Sequence, residues 1–470
     1  MTGGRRKRTV DAAGQRCFID DGTGRGPAWP ASCSAWAAVR SGPDADPASP
    51  ATATGRRPND LGRDDMTDQS ADAETAAQRG SPAEVFAVFL KLGLTSFGGP
   101  IAHLGYFRDE LVTRRRWLGD AAYADLVALC QFLPGPASSQ VGFALGLMRA
   151  GWLGALAAFT AFTLPSALIL LVFATTATAI AGPIGTGALN GLKIVAVAIV
   201  AQAVWGMAKA LCPDRQRATI ALAAVALLAF LPGAYGMVGA ILIGGLAGLV
   251  LGGSTDKPVG GHVAMPVSRA MALVSVTLFF GLLAILPLVA GQSQALAVID
   301  SFYRAGALVF GGGHVVLPLL QAEVVQPGWV TPDAFLAGYG AAQAVPGPLF
   351  TFAAYLGAAL GPEPNGVAGA LIALLSVFLP GFLLLVGVLP FWDRFRAMAG
   401  ARSLMRGANA AVVGILGAAL YSPVFTGAVT DMKSFTLTLG CFVLLLAWKA
   451  PPWVVVGVAV LGGAGLALIA

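Results

Sequence analysis

The chain has 470 residues, of which 56% are hydrophobic and only 11% charged, with a formal net charge of +6. Soluble domains carry roughly 25% charged residues, so the composition excludes a disordered chain, a coiled coil and a conventional cytosolic enzyme, and the charge is too small and scattered for nucleic-acid binding. Sixty-one glycines and 29 prolines argue against plain, unbroken spanning helices, and apolar runs that do not alternate argue against a β-barrel. What remains is an all-α polytopic membrane protein with small residues at helix contacts and several helix breaks.

Residues 1–80 stand apart. Arg5, Arg6, Lys7 and Arg8 precede a Gly/Pro/Ala/Asp mixture without apolar periodicity or the apolar core of a signal peptide. This stretch reads as a disordered N-terminal extension, with Met66 as an alternative start. From Glu84 onward, spanning helices are expected at about 151–180, 187–208, 216–231, 234–252, 268–290, 365–390, 403–422, 432–449 and 453–470. Stretches 84–105, 119–149, 296–320 and 332–361 are apolar but broken by Gly or Pro. Cys17, Cys33, Cys130, Cys212 and Cys441 show no metal-ligand spacing, and their odd number argues against a disulfide framework.

The broken stretches come in pairs. Phe97-Gly98-Gly99-Pro100 returns as Phe310-Gly311-Gly312-Gly313, and Gln131-Phe-Leu-Pro134-Gly135-Pro136 returns as Gln343-Ala-Val-Pro346-Gly347-Pro348. Leu164-Pro165 returns as Leu379-Pro380, and Asn190 as Asn409. Two diverged copies of one unit therefore make up the membrane domain, 81–252 and 296–470, joined by a linker and connecting helix at 253–295. Arg108, Arg114, Arg115 and Arg116 follow the first Phe-Gly-Gly segment, whereas 321–333 holds no Lys or Arg; after the Leu-Pro helix the bias reverses, with 181–186 uncharged and Arg394, Arg396, Arg402 and Arg406 in the second copy. By the positive-inside rule the copies are inverted. Re-entrant broken stretches satisfy these loops, with nine full crossings and the N-terminus inside.

A Gly-Gly pair within an apolar segment frees backbone N–H groups that cannot stay unpaired in hydrocarbon. Such donors suit an anion, so Gly98, Gly99, Gly311 and Gly312, with neighbouring Ser96, are expected to meet substrate; the plain alternative is packing notches. Pro134, Pro136, Pro346 and Pro348 hold the breaks open, and Gln131, Ser138, Gln343 and Thr351 flank them as hydrogen-bond donors. Lys91 and Arg304 occupy equivalent positions and would supply positive field, unless they snorkel to the interface. His103 and His314 each follow a Gly-Gly break and would bond an oxyanion, carry a proton, or serve structurally. Glu110 aligns with Glu323 and, beside arginines, reads as a surface ion pair. Asp125 is a candidate proton carrier. No Walker A, HExxH or catalytic triad pattern recommends an enzyme.

On Phe97-Gly-Gly-Pro100…His103-Leu-Gly-Tyr106, Gln131-Phe-Leu-Pro-Gly-Pro136, Phe310-Gly-Gly-Gly-His314 and Gln343-Ala-Val-Pro-Gly-Pro348, the sequence resembles the chromate ion transporter family in its long, two-domain form, over about residues 84 to 470. The resemblance implies a secondary transporter that exports chromate across the cytoplasmic (inner) membrane and confers chromate resistance, with sulfate as a structural analogue. A transporter of sulfate or another inorganic anion shares these features, and a non-transporting membrane scaffold would explain the repeats but not the breaks. The partners expected are an inorganic oxyanion and the lipid bilayer, with no nucleic acid, cofactor or metal; a homodimer is compatible with the sequence.

Overall fold

The computed structural model describes residues 80–177, 182–251, 267–310 and 312–469, and a two-residue antiparallel ladder pairing Thr9–Val10 with Arg16–Cys17. The chain divides into one unit at Met1–Asp68 and a second at Gln69–Ala470. Beyond the ladder, the expectations for residues 1–79, Met66 included, lie outside the described residues, as do linker residues 253–266 and Gly311.

Every described element of the second unit is helical. The first copy opens with α1 (Pro82–Thr95), whose start is fixed by Pro82 and by Ser81 Oγ accepting the Glu84 N–H at 3.1 Å. The helix stops where Ser96 turns extended, and α2 (Gly99–Phe107) begins after Gly98, continuing in π geometry through Arg108–Arg114. α3 (Asp120–Phe132) runs to the Pro-Gly-Pro break. The helical stretch Ala137–Ala177 is interrupted at Ala150 and Gly151, giving a short α4 at 137–149 and a long α5 at 152–177. α6 (Gly182–Leu211), α7 (Arg215–Phe230) and α8 (Ala234–Leu251) complete the copy. After α9 (Arg269–Val289) the pattern repeats as α10 (Gln294–Ala307), α11 (Val316–Val324), α12 (Pro332–Ala342), α13 (Phe352–Ala358), α14 (Gly366–Val388), α15 (Ala399–Ala419), α16 (Met432–Leu446) and α17 (Pro452–Ile469).

Ion pairs show that the broken stretches fold back on themselves. Lys91 meets Glu110 at 3.2 Å and Arg115 meets Glu84 at 3.9 Å, so α1 and the α2 continuation run antiparallel. Arg108 meets Asp120 at 2.9 Å at the start of α3, and Arg149 at the end of α4 meets Glu84 at 3.2 Å. Both hairpins of the first copy thus begin and end on one side. In the second copy Arg304 of α10 meets Glu323 of α11 at 2.7 Å, and the Gly361 N–H donates to the Trp329 carbonyl at 2.8 Å, closing the α12–α13 hairpin.

Among the described residues, seven helical stretches are long and apolar enough to cross a membrane: Ala137–Ala177, Gly182–Leu211, Ala234–Leu251, Arg269–Gln292, Gly366–Phe391, Gly400–Ala428 and Pro452–Ile469. Two of the nine expected spans fall short, and they are the equivalent pair α7 and α16, of 16 and 15 residues. At 1.5 Å per residue they reach only about 24 and 22 Å, less than a hydrocarbon core of roughly 30 Å.

The copies exchange helices. α6 of the first packs on α16 and α17 of the second, while α15 of the second packs on α7 and α8 of the first. Both contacts are glycine seams: a Cβ at Gly187 would lie 2.6 Å from the Gly463 carbonyl oxygen, and one at Gly244 would lie 2.6 Å from the Ala411 Cβ. In lipid there is no water to leave, so such backbone proximity and dispersion contacts supply the association.

Candidate functional site

The two copies meet at their breaks. The Gly135 N–H donates to the Val309 carbonyl at 2.7 Å, and the Gly347 N–H donates to the Ser96 carbonyl at 2.9 Å. Ser96 and Val309 are equivalent positions, as are Gly135 and Gly347, so the two bonds are related by a pseudo-twofold. Gly135 and Gly347 have φ of +116° and +106°, a region side chains avoid. The Phe-Gly-Gly breaks touch each other as well: a Cβ at Gly313 would stand 3.1 Å from Pro100 Cγ, and one at Gly99 would stand 3.9 Å from His314 Nε2.

These crossings decide the polarity of the junction. Helices α1, α3, α10 and α12 end here and bring carbonyls, and α2, α4, α11 and α13 start here and bring N–H groups. The Ser96 and Val309 carbonyls are taken by the other copy's N–H groups, and the Pro134 carbonyl accepts from Gln140 Nε2 at 3.0 Å. The starts at Gly98, Gly312 and Pro348 carry no side-chain cap. Paired carbonyls and uncapped N–H groups leave a locus that favours negative charge.

The predicted side chains fall into distinct settings. His103 is 1% exposed; its Nδ1 lies 3.4 Å from Ser138 Oγ and its ring is edge-on to Phe162 at 5.4 Å. Ser96 is fully buried, and neither its Oγ nor His103 Nε2 finds a hydrogen-bond partner among the described residues. His314 Nδ1 is 2.8 Å from the Tyr339 hydroxyl. Gln343 lies at the second break with Nε2 unpartnered among the described residues, and Thr351 Oγ1 donates to the Pro348 carbonyl at 2.7 Å, within its own helix start. Gln131 is exposed on α3. The glutamine inside is Gln140, whose Nε2 donates to the Pro134 and Gly381 carbonyls at 3.0 and 2.8 Å and so ties the first break to α14. Its position four residues after Pro136, within an apolar run, was the available signal. Buried Ser166, which donates to the Thr163 carbonyl at 3.0 Å, carries no comparable signal in the sequence.

Lys91 and Arg304 are each held by carboxylates of their own hairpin. Lys91 shares Glu110 with Arg114 and Arg115, both at 2.9 Å. Arg304 forms two bonds to Glu323, at 2.9 and 2.7 Å, and meets Asp300 at 3.1 Å. Both cations therefore clamp hairpins instead of offering free charge at the junction. Asp125, 3% exposed, accepts from Trp392 Nε1 at 3.2 Å and links α3 to the second copy.

Arg304→Ala leaves two buried carboxylates, Asp300 and Glu323, without their shared cation, and is expected to destabilise the protein by about 3 kcal/mol. Lys91→Ala leaves Glu110 with two arginines, and Lys91 is half exposed, so a loss of about 1 kcal/mol or less is expected. Thermal unfolding of the purified variants in detergent checks this ordering, which equal losses would contradict.

The sequence pattern of the family described as "Chromate transporter" matches residues 83–249 and again residues 296–464. The chain is 31% identical over 401 residues to the chromate transport protein of Pseudomonas aeruginosa, covering 81% of this chain and 91% of that protein. It is 29% identical over 367 residues to a probable chromate transport protein of Synechococcus elongatus, covering 77% and 88%, and 27% identical over 386 residues to the chromate transport protein of Cupriavidus metallidurans, covering 80% and 90%. No solved structure matches the chain. With both halves of a pseudo-twofold junction inside the two matched regions, this all-α, multi-pass membrane protein belongs to the chromate transporter family.

Proposed function

We propose that the protein is a secondary transporter that exports chromate, a tetrahedral oxyanion dianion, across the cytoplasmic membrane and so confers chromate resistance. The observation that carries this reading is the junction itself: uncapped helix starts at Gly98, Gly312 and Pro348, beside carbonyls already bonded across the copies. A dianion must shed its water to cross, and oriented N–H groups replace that water without moving. Lys91 and Arg304 keep the hairpins that carry these breaks in place.

Export is the direction that needs least machinery. A membrane potential of 100 mV is worth about 2.3 kcal/mol per charge, so two negative charges leaving a cell at roughly 150 mV, negative inside, gain about 7 kcal/mol. That gain sustains a gradient of about five orders of magnitude. Everted vesicles test the reading: chromate uptake is expected to be saturable and to rise when the interior is made positive. Uptake indifferent to the protein would contradict it, and sulfate competing better than unlabelled chromate would reassign the substrate.

A further inference from the structure

The two junctions share a backbone but not a chemistry. At the first, Ser96, His103, Ser138 and Ser166 surround the crossing with Gly347, and each is at most 2% exposed. They are connected: His103 Nδ1 lies 3.4 Å from Ser138 Oγ, the Ser96 carbonyl accepts the Gly347 N–H at 2.9 Å, and a Cβ at Gly347 would lie 2.8 Å from Ser166 Oγ. At the second junction the equivalent positions of Ser96, Ser138 and Ser166 are Val309, Phe350 and Gly381, and Gln140 already spends its amide on the Pro134 and Gly381 carbonyls.

Two buried atoms at the first junction, Ser96 Oγ and His103 Nε2, have no partner among the described residues. Leaving such groups unpaired in an interior is costly; at the second junction Gln140 Oε1 is also unpartnered among the described residues, but it is an acceptor and does not suit an anion. We infer that the transporter has one oxyanion seat, displaced from the pseudo-twofold axis into the first junction, where Ser96 Oγ–H, His103 Nε2–H and the uncapped N–H groups at the start of α2 take the oxygens, while the second junction, held by Gln140, is a structural tie. Ser138 Oγ–H donates to His103 Nδ1 in this arrangement, which fixes the proton on Nε2. Recognition is by neutral donors only, so the seat takes a fully deprotonated tetrahedral dianion and disfavours one that carries a proton, which would set O–H against N–H. Ser166 sits in the middle of α5, fifteen residues into a stretch of 26, which places the seat near mid-depth of the membrane.

This inference rests on the transport reading, and labelled-chromate uptake into proteoliposomes separates the two. Ser96→Ala is expected to raise KM about tenfold or more, the loss that follows when a charge-assisted bond is removed, Ser138→Ala to raise it by less, since Ser138 acts by fixing the proton of His103, while Phe350→Leu, at the position equivalent to Ser138, stays within about twofold. A purely structural serine would lower stability on removal; Ser96→Ala instead removes an unpaired buried hydroxyl, so its Tm without anion is expected to equal or exceed that of the wild type, and its Tm rise on adding chromate to shrink. Wild-type uptake with unchanged KM in both serine variants overturns the single seat, as does an equal KM rise in Phe350→Leu. Absence of wild-type uptake overturns the transport reading itself.

Discussion

Gly347→Ala is expected to reduce chromate flux by about a hundredfold without removing the protein from the membrane. The φ of +106° alone costs an alanine about 1–2 kcal/mol. The added Cβ would also lie 2.8 Å from Ser166 Oγ and 3.3 Å from the Phe162 carbonyl oxygen, so the backbone has to shift. That shift breaks the Gly347 N–H bond to the Ser96 carbonyl, frees that carbonyl and places its negative dipole beside the N–H groups meant for an anion. Each 1.4 kcal/mol is tenfold, so strain and electrostatic reversal together reach two decades. Gly151→Ala is the control: φ there is +65° with nothing within 4 Å of the added Cβ, so it carries strain without collision and should retain most of the flux. Initial uptake rates in proteoliposomes, normalised to reconstituted protein, decide; equal rates for the two variants would contradict the junction.

Gly407→Leu and Gly191→Leu are expected to have the largest effects on stability. A Cβ at Gly407 would run into the Gly244 carbonyl oxygen and stand 2.7 Å from the Gly248 Cα; a Cβ at Gly191 would run into the Ala459 carbonyl oxygen and stand 2.8 Å from the Val460 Cα. These are backbone atoms of another helix, with no rotamer to yield. Each seam joins the two copies, so forcing it open separates α15 from α8 or α6 from α17. A loss of about 3 kcal/mol or more is expected at either site. Gly206, also on α6, has open space around its Cβ direction, and Gly206→Leu should change little. Thermal unfolding of detergent-solubilised protein compares the three; a similar Tm for all would show that the copies are not held by these seams.

The repeat was legible because its marks are chemical and local. Prolines and glycines that break an apolar run appear in any sequence, and a constant offset shows that they recur. The same offset aligned Lys91 with Arg304 and Glu110 with Glu323, and these residues form one ion pair in each copy. Their pairing was not legible, since it depends on how each hairpin folds back; Glu110 meets Arg114 and Arg115, which follow it in the chain, and it also takes Lys91. Gln131 stood out by adjacency to the break, yet helical phase carries it outward, while Gln140 lies inside. The exchange of helices between copies left no local trace, because Gly191 and Ala459, or Gly248 and Gly407, become neighbours only in three dimensions. The shortness of α7 is legible in its expected span of 216–231, whereas α16 stops at Leu446, before the apolar signal ends.

The buried core reflects the same division. In the first copy Phe89, Phe107 and Phe162 pack edge to face, with centroids 5.5 Å apart for Phe89 and Phe107 and 5.1 Å for Phe107 and Phe162. The second copy uses Phe335, Tyr339, Phe352 and Tyr355 around its own hairpin. His103 joins the first group through Phe162, which holds its ring in one orientation at the junction.

Inversion of the two copies is the premise on which the rest depends, and sidedness of equivalent loops tests it most directly. Thr113 and Gln326 are equivalent, both exposed, and each lies just before the second hairpin of its copy. In a chain freed of its native cysteines, Thr113→Cys and Gln326→Cys are each treated with a membrane-impermeant maleimide in right-side-out and in everted vesicles. Position 326 is expected to label only in right-side-out vesicles and position 113 only in everted ones; labelling of both from the same side would contradict the account.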